Sequence, residues 1–128
     1  MIKKFEDFKI WRDSLKITKE IYDLTALPKF SRDFGLRDQI QRAIISISSN
    51  IVEGFEKNNN NEFIRYLKIA KGSAGEVRNQ LAIAFTVNYI SPSDFERVNK
   101  QSEDLANQIG AFISYLEKVR KNKQFIKK

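Results

Sequence analysis

The stretch Leu36–Gly54 constrains the fold most, because it predicts one long helix with two different faces. Apolar side chains recur in it at the helical spacing of three and four residues and gather on one face. That face comprises Leu36, Ile40, Ala43, Ile44, Ile47, Ile51 and, just beyond, Phe55. A polar stripe runs beside it and comprises Gln39, Arg42, Ser46, Ser49, Asn50 and Glu53. Polar groups sorted in this way beside a core face predict a helix packed within a bundle.

Three further helix patterns accompany this stretch. We predict helices at about 6–27, 36–57, 61–89 and from Pro92 onward. Pro28 ends the first helix, Asn59 with Glu62 resembles a capping box, and Ser91-Pro92-Ser93-Asp94 begins the last helix. The link 28–35 is predicted to be a turn in which Ser31 or Asp33 caps the next helix. Because short links make neighbouring helices antiparallel, the sequence predicts an all-α fold, an antiparallel up-down-up-down four-helix bundle.

The first helix has two apolar stripes, although a single neighbour needs a stripe of only about 100°. One stripe comprises Phe8, Trp11, Leu15, Thr18, Tyr22 and Thr25. The other comprises Ile10, Ile17, Ile21 and Leu24. The second stripe predicts a second neighbour, either another helix of the bundle or another subunit.

Two glycines, Gly72 and Gly75, interrupt the third helix. Each costs about 1 kcal/mol relative to alanine in a helix interior. We expect them to mark a close approach of another helix or a local kink. A phosphate-binding loop is the alternative, but no strand precedes the glycines and their spacing matches no such motif.

The composition argues against several classes of function. The chain has no cysteine and no histidine, which removes disulfides, thiolate metal sites and the commonest general base. We therefore expect no enzymatic activity, no metal and no cofactor. The chain has no apolar run long enough for a membrane span and no secretory signal, so we expect a cytoplasmic protein without membrane contact.

The net charge of +7 is concentrated at the C-terminus. Residues 118–128 contain six basic residues and no acid, leaving 17 basic and 16 acidic residues in the rest of the chain. We therefore divide the chain into a bundle domain, 1–117, and a basic C-terminal tail, 118–128. The tail is predicted to be either continued helix or disordered.

Two basic rows are candidate nucleic-acid contacts, since cations on a helix face neutralise phosphates independently of base sequence. They comprise Lys9, Arg12, Lys16 and Lys19 on the first helix and Arg65, Lys68, Lys71 and Arg78 on the third. The alternative is a pair of solvated helix faces.

A second set of polar residues is predicted to form an interhelical network, with a ligand or subunit contact as the alternative. It comprises Gln39, Arg42, Ser46, Asn50, Glu53, Ser73 and Glu76. Glu53 and Glu76 are placed where they could pair with Arg42 or Arg78, or could serve an enzyme as paired carboxylates.

Four motifs resemble those of the bacterial four helix bundle protein family, whose founding members are encoded by intervening sequences in 23S ribosomal RNA genes. They are Phe5-x-x-Phe8-x-x-Trp11, Gly35-Leu36-x-x-Gln39-Ile40-x-Arg42-Ala43, Ser49-Asn50-Ile51-x-Glu53-Gly54 and Ala70-x-Gly72-Ser73-x-x-Glu76. The resemblance covers about residues 5–117. The sequence departs from the family in Val52, where alanine is commoner, and in its basic tail.

The resemblance implies a four-helix bundle that assembles as a homopentamer. The family is also similar to the accessory protein of diversity-generating retroelements, a basic pentamer that works with a reverse transcriptase and binds nucleic acid. We therefore expect a homo-oligomer that binds RNA or DNA without sequence preference. The alternative is an oligomeric scaffold for a protein partner such as a reverse transcriptase, docked on the second apolar stripe of the first helix or on the face of the ring.

Overall fold

The computed structural model of the chain describes residues 2–126, with side chains described as far as Arg120. It contains a single 3-10 turn, Phe5–Asp7, followed by five α-helices. These are α1 (Lys9–Thr25), α2 (Pro28–Arg32), α3 (Phe34–Glu56), α4 (Asn60–Thr86) and α5 (Pro92–Ile126). Four of the helices are long, and residues 2–126 contain no strand. The prediction of an all-α fold with four long helices is confirmed.

Each long helix packs on two neighbours. α3 lies between α1 and α4, and α5 closes the bundle by packing on α4 and α1. The side-chain contacts between α3 and α4 run in opposite directions along the two helices, since Gln39 bonds to Gln80 and Ser46 to Ser73. Contacts of this kind also join α1 to α3, where Thr25 meets Gln41 and Phe8 meets Phe55. By these contacts α3 runs antiparallel to both α4 and α1.

The core consists of the apolar stripes of all four long helices. On α3 the predicted stripe is buried, and Ile40, Ile44, Ile47 and Ile51 are fully inaccessible to solvent. They pack with fully or almost fully buried side chains from the other long helices, which include Ile21, Leu67, Val77, Leu81, Leu105 and Ile109. Burial of this apolar surface, at about 25 cal/mol per Å², is the main stabilising contribution to the fold.

α1 contributes to the core with the stripe that was predicted to need a second neighbour. Ile10, Ile17, Ile21 and Leu24 are all buried inside the single chain, so they need no other subunit. The other stripe lies at the edge of the bundle, and there Leu15 and Tyr22 remain 43% and 41% exposed. The predicted docking of a protein partner on the second stripe is therefore wrong, because that stripe is already covered by α3 and α5.

The start of the first helix and the link that follows it differ from the prediction. Phe8 has an extended backbone and separates the 3-10 turn from α1, so the helix begins at Lys9 rather than at residue 6. The link 28–35 contains a short helix, α2, instead of a turn alone. Its Phe30 is fully buried and anchors the link to the core. Of the two predicted caps, Asp33 is the one used, since its carboxylate accepts a hydrogen bond from the Leu36 amide at 3.1 Å.

The ends of α4 are set by two asparagines. The Asn59 side chain caps the helix by accepting from the Glu62 amide at 3.0 Å, whereas the Glu62 carboxylate pairs with Arg65 and does not complete the capping box. At the other end, Asn88 has a left-handed backbone with φ 65°. The amide of the next residue, Tyr89, donates to the Ala84 carbonyl, which is the bond that closes a Schellman motif. The helix therefore ends at Thr86 rather than at the predicted residue 89.

The start of α5 follows the prediction. The Ser91 hydroxyl accepts from the Asp94 amide at 3.1 Å, and Pro92 is the first residue of the helix. The helix continues through Ile126, so the basic tail is helical over 118–126, and Lys127 and Lys128 lie outside the described residues. Arg120 donates to the Asn61 side chain at 3.1 Å, which places the beginning of the tail beside the start of α4.

The glycines of α4 do not have the predicted role. Apart from the glycine itself, its chain neighbours and the nearby backbone of α4, no described atom lies within 4 Å of the position that a Cβ would occupy at Gly72 or Gly75, and the helix runs unbroken past both. The close approach occurs instead at Gly54 on α3. A Cβ there would lie 2.7 Å from the Tyr66 Cβ and 2.9 Å from the Phe63 ring, so only glycine lets α3 and α4 meet at this height.

Candidate nucleic-acid interface and the α3–α4 polar groove

Three residues of the basic row on α4 line one open groove between α4 and α5, which we call the basic groove. It has a volume of about 470 Å³ and is lined by Lys68, Lys71, Gly72, Gly75, Arg78, Ala106 and Asn107. The two glycines form a floor without side chains. They were singled out in the sequence for a different reason, and the open floor of the groove is the role that sequence reasoning missed.

The cations of the basic groove are only partly neutralised by acids of α5. Lys68 lies 3.7 Å from Glu117, and Arg78 lies 3.2 Å from Glu103. Lys71 forms no ion pair with any residue whose side chain is described, and its Cε would lie 3.3 Å from a Cβ placed at Gly110. Because exposed ion pairs contribute only about 0–1 kcal/mol, the two paired cations can still be attracted to a phosphate.

Arg65, the fourth member of the row, does not line the basic groove. Its guanidinium bonds to the Glu62 carboxylate at 3.0 and 3.3 Å and lies 4.5 Å from the centroid of the Tyr66 ring. The hydrogen bond to Glu62 raises the pKa of Arg65 and lowers the pKa of Glu62. Arg65 is therefore held by its own helix.

The basic row on α1 lies on a separate surface, because α3 and α5 stand between α1 and α4. Lys9 and Lys16 both pair with Asp13, and Lys19 pairs with Asp23 at 2.9 Å. The hydrogen bond to Asp23 raises the pKa of Lys19. Arg12 donates to the Glu6 carbonyl at 3.1 Å. The two predicted rows are thus not brought together, and the row on α1 is largely compensated by acids of the same helix.

The polar stripe of α3 faces α4 across a second groove, which we call the polar groove. It has a volume of about 440 Å³ and is lined by Gln39, Arg42, Ala43, Ser46, Ser73, Glu76 and Gln80. Hydroxyls of Ser46 and Ser73 meet across it at 2.9 Å. Asn50 donates to the Ser46 hydroxyl at 3.0 Å, and the Gln80 amide donates to Gln39 at 3.4 Å. Five polar side chains of the two helices are thus joined across or along the groove.

The charged members of the predicted network are not joined in this way. Arg42, Glu53 and Glu76 are all exposed, and none forms an ion pair with a residue whose side chain is described. Arg78 pairs with Glu103 of α5 instead of with either acid. The predicted pairing of Glu53 and Glu76 with these arginines is wrong, because the helices rotate the three side chains toward solvent. Arg42 and Glu76 both line the polar groove, whereas Glu53 does not.

Gln80 is the residue of the polar groove that sequence reasoning missed. Its side chain is 6% exposed, and its Oε1 has no hydrogen-bond partner among the described residues. A signal was present in the sequence, since Gln80 follows Ser73 by seven residues and so lies on the same face of α4.

A cavity of about 720 Å³ lies at one end of the bundle. Its apolar wall is an aromatic cluster in which the rings of Phe8, Phe55, Phe63 and Phe112 lie 5.2–6.0 Å apart. Asparagines 58–61 and Arg120 form the polar part of its rim. Among the residues whose side chains are described, the lining contains no carboxylate.

Within residues 2–126, no group of three or more carboxylate side chains is arranged to hold a metal ion. Over the same residues, no helix has the length and apolarity needed to cross a membrane.

Comparison with known proteins identifies the family of this fold. The model of the family described as 23S rRNA-intervening sequence protein matches residues 6–111. No curated protein matches the chain. The chain is similar to a crystal structure of a protein with unknown function from the S23 ribosomal protein family of Bacteroides thetaiotaomicron VPI-5482. The two are 26% identical with a TM-score of 0.75, over 81% of this chain and 97% of the other. Because the family model matches most of the length of the chain, the chain belongs to the 23S rRNA-intervening sequence protein family.

Proposed function

We propose that this protein is a non-enzymatic homo-oligomer that binds RNA or DNA without sequence preference, through phosphate contacts in the basic groove. The observation that carries the proposal is the convergence of Lys68, Lys71 and Arg78 on one groove with a bare glycine floor. A phosphodiester backbone needs closely spaced cations and room to approach them, and the groove offers both.

The surroundings of the basic groove support a contact with backbone rather than with bases. Its described lining contains no aromatic ring and so provides no platform on which an unpaired base could stack. The basic tail begins on α5, the helix that forms the other wall. The six basic residues of 118–128 add positive charge to the chain, which is the composition expected of a salt-dependent binder.

The exposed apolar side chains of α1 and α3 support self-association. Leu15, Tyr22 and Ile45 are each more than 40% exposed on two helices that pack side by side. Exposed apolar side chains on neighbouring helices are candidates for a contact surface between subunits. A homo-oligomer, for which the family resemblance implies five subunits, would repeat the basic groove around its symmetry axis and sum its potential.

The experiment is a salt titration of binding to mixed-sequence RNA and DNA oligonucleotides. We expect affinity to fall steeply with salt and to differ little between sequences. The variant Lys68→Gln/Lys71→Gln/Arg78→Gln should lower affinity and reduce the slope of log affinity against log salt by about 0.7 per lost phosphate contact on single strands. The matched control, Lys9→Gln/Lys16→Gln/Lys19→Gln, removes the same charge from α1 and should have a smaller effect. Equal effects of the two variants would place binding elsewhere on the surface.

The assembly part of the proposal has its own measurement. Light scattering coupled to size exclusion should show a single oligomer, and Leu15→Ser/Tyr22→Ser/Ile45→Ser should reduce it to smaller species without loss of helix content. A chain that runs as a monomer before mutation would contradict the proposal of a homo-oligomer.

A second candidate function is a scaffold for a protein partner such as a reverse transcriptase. Ile69 and Ile83 on α4 favour it, because they are 43% and 42% exposed and lie on the side of the helix away from the core. A partner bound there would be displaced by Ile69→Ser/Ile83→Ser and not by the basic-groove variant.

A further inference from the structure

We propose that the cavity between the aromatic cluster and asparagines 58–61, which we call the end cavity, binds one unpaired nucleobase of a single-stranded nucleic acid. The inference rests on the proposed nucleic-acid binding and adds a base contact to the phosphate contacts of the basic groove. The end cavity is a separate site, because the two sites share none of their described lining residues.

The end cavity is large enough for a base with its sugar. Its volume of about 720 Å³ lies within the range of roughly 300–1,000 Å³ that is usual for small-molecule sites. It opens to solvent at the end of the bundle, so one nucleotide can enter it while the rest of the strand stays outside.

Tyr115 gives the end cavity a ring on which a base can stack. Its side chain lines the cavity and is 59% exposed. The ring lies nearly parallel to that of Phe112, at 14° and with the centroids 6.3 Å apart, and Phe112 packs against the core. An exposed ring held by a fixed neighbour is the kind of platform on which proteins stack the bases of single strands, because every base has a π-face.

The asparagines of the rim can bond to the edge of a base, since a side-chain amide carries both donors and an acceptor. Two of their acceptors are in use, because the Asn59 side chain caps α4 and the Asn61 Oδ1 accepts from Arg120. Among the described residues, no acceptor takes a hydrogen bond from the Nδ2 of Asn58, Asn59, Asn60 or Asn61. These donors are therefore available to base oxygens and ring nitrogens.

The charges around the end cavity fit the phosphate of a bound nucleotide. Arg120 lies on the rim, and its hydrogen-bond partner in the described part of the chain is Asn61, which is neutral. The sequence adds five further basic residues and no acid over 118–128. The positive end of the α4 dipole adds to this field, since α4 begins at Asn60 on the same rim.

The three features together favour a base over another apolar anion such as a fatty acid. A fatty acid would use the aromatic wall and Arg120, but it would leave the amides of the rim without a role. A base uses the ring, the amides and the cation at once. Because the faces and pairing edges of bases are not accessible inside a duplex, the end cavity should add affinity for single strands only.

The test uses the full chain and a short oligouridine that carries one 2-aminopurine, a base whose fluorescence falls when it stacks. The same strand annealed to its complement is the duplex probe. We expect the fluorescence of the single strand to be quenched on binding. Tyr115→Ser should abolish the quenching and weaken single-strand binding by about fivefold or more, while duplex binding stays within about twofold of the parent protein.

Two variants control for the ring and for its place. Tyr115→Phe keeps the ring and should retain the quenching and the single-strand affinity. Phe34→Ser removes an aromatic ring that is 64% exposed at the start of α3, whereas Phe55 of the end cavity lies near the end of that helix. This matched control should change neither readout.

The basic-groove variant separates this inference from the proposed function. Lys68→Gln/Lys71→Gln/Arg78→Gln should weaken both probes and leave the quenching at saturation unchanged. Equal affinity for the two probes without quenching would overturn the base contact and leave phosphate binding in the basic groove standing. Failure of both probes to bind would overturn both proposals. Binding of laurate that depends on Tyr115 and Arg120, without quenching by the RNA, would assign the end cavity to an apolar anion and overturn the base contact.

Discussion

The phenol of Tyr89 donates a hydrogen bond to the Asp33 Oδ2 at 2.9 Å, which ties the turn after α4 to the start of α3. The other oxygen of the same carboxylate caps α3 through the Leu36 amide. The ring of Tyr89 lies 5.6 Å from that of Phe30, the buried residue of α2. The carboxylate of Asp33 thus joins the turn after α4 to α3, and the ring of Tyr89 adds a contact with α2.

This bond predicts a loss of stability at alkaline pH. The hydrogen bond to Asp33 raises the pKa of Tyr89 above its ordinary value. A raised pKa in the folded state stabilises the protein below the ordinary tyrosine pKa of about 10, and the contribution is lost as the pH rises through the folded value. We expect urea unfolding measured from neutral to alkaline pH to show a fall that Tyr89→Phe reduces. Tyr115→Phe, at a tyrosine that is 59% exposed, should retain the full fall.

The left-handed backbone at Asn88 predicts that the free energy of unfolding depends on which residue occupies this position. Asn88→Ala should lower the free energy of unfolding by about 1–2 kcal/mol, because a Cβ without a compensating polar group is disfavoured at positive φ. Asn88→Gly should retain the stability. The same change at Asn79, an exposed position inside α4, should be neutral or slightly stabilising, since alanine is the better helix former. Urea denaturation of the three variants measures the contrast, and equal losses at both sites would refute the role of the backbone.

Replacing glycine by alanine is predicted to have opposite effects on stability in α3 and in α4. Gly54→Ala should destabilise by about 1–3 kcal/mol, because the added Cβ meets Tyr66 and Phe63 at distances that require a shift of the helices. Gly72→Ala should stabilise by about 0.5–1 kcal/mol, since its Cβ meets nothing and the helix gains propensity. Chemical denaturation compares them. A stabilising Gly54→Ala would mean that α3 and α4 do not approach as closely as described.

Two adjacent isoleucines on α3 lie on either side of the boundary between core and surface, so their substitution is predicted to affect stability differently. Ile44 is fully buried and Ile45 is 44% exposed. Ile44→Ala should cost about 2–5 kcal/mol through lost burial and a cavity. Ile45→Ala should change the stability of the fold by no more than about 0.5 kcal/mol, measured at a concentration where the oligomeric state is the same as in the parent protein. Similar losses at the two positions would show that the face of α3 bearing Ile45 is also buried.

The candidate sites were less predictable from the sequence than the fold. Helical spacing placed Lys68, Lys71 and Arg78 on one side of α4, and the structure brings them to one groove. Spacing did not reveal that Asp13 and Asp23 compensate the row on α1, although both acids are visible in the sequence, because ion pairing depends on rotamers as well as on register. The lack of a partner for the Gln80 Oε1 could not be predicted from the sequence, because it depends on which hydrogen-bond donors the neighbouring helix places near that atom.

The sequence by itself determined the number of long helices, the caps at Asn59 and Ser91, and the buried face of α3, and it narrowed the cap of α3 to Ser31 or Asp33. These features are local, because propensity, capping and periodicity act within a few residues along one helix. Only the tertiary structure decided which of the two apolar stripes of α1 is buried, that Gly54 rather than Gly72 marks the close approach, and that Arg42 and Glu76 face an open groove. Periodicity fixes the angle of each residue around its own helix, whereas the rotation of each helix is set by packing against all its neighbours at once.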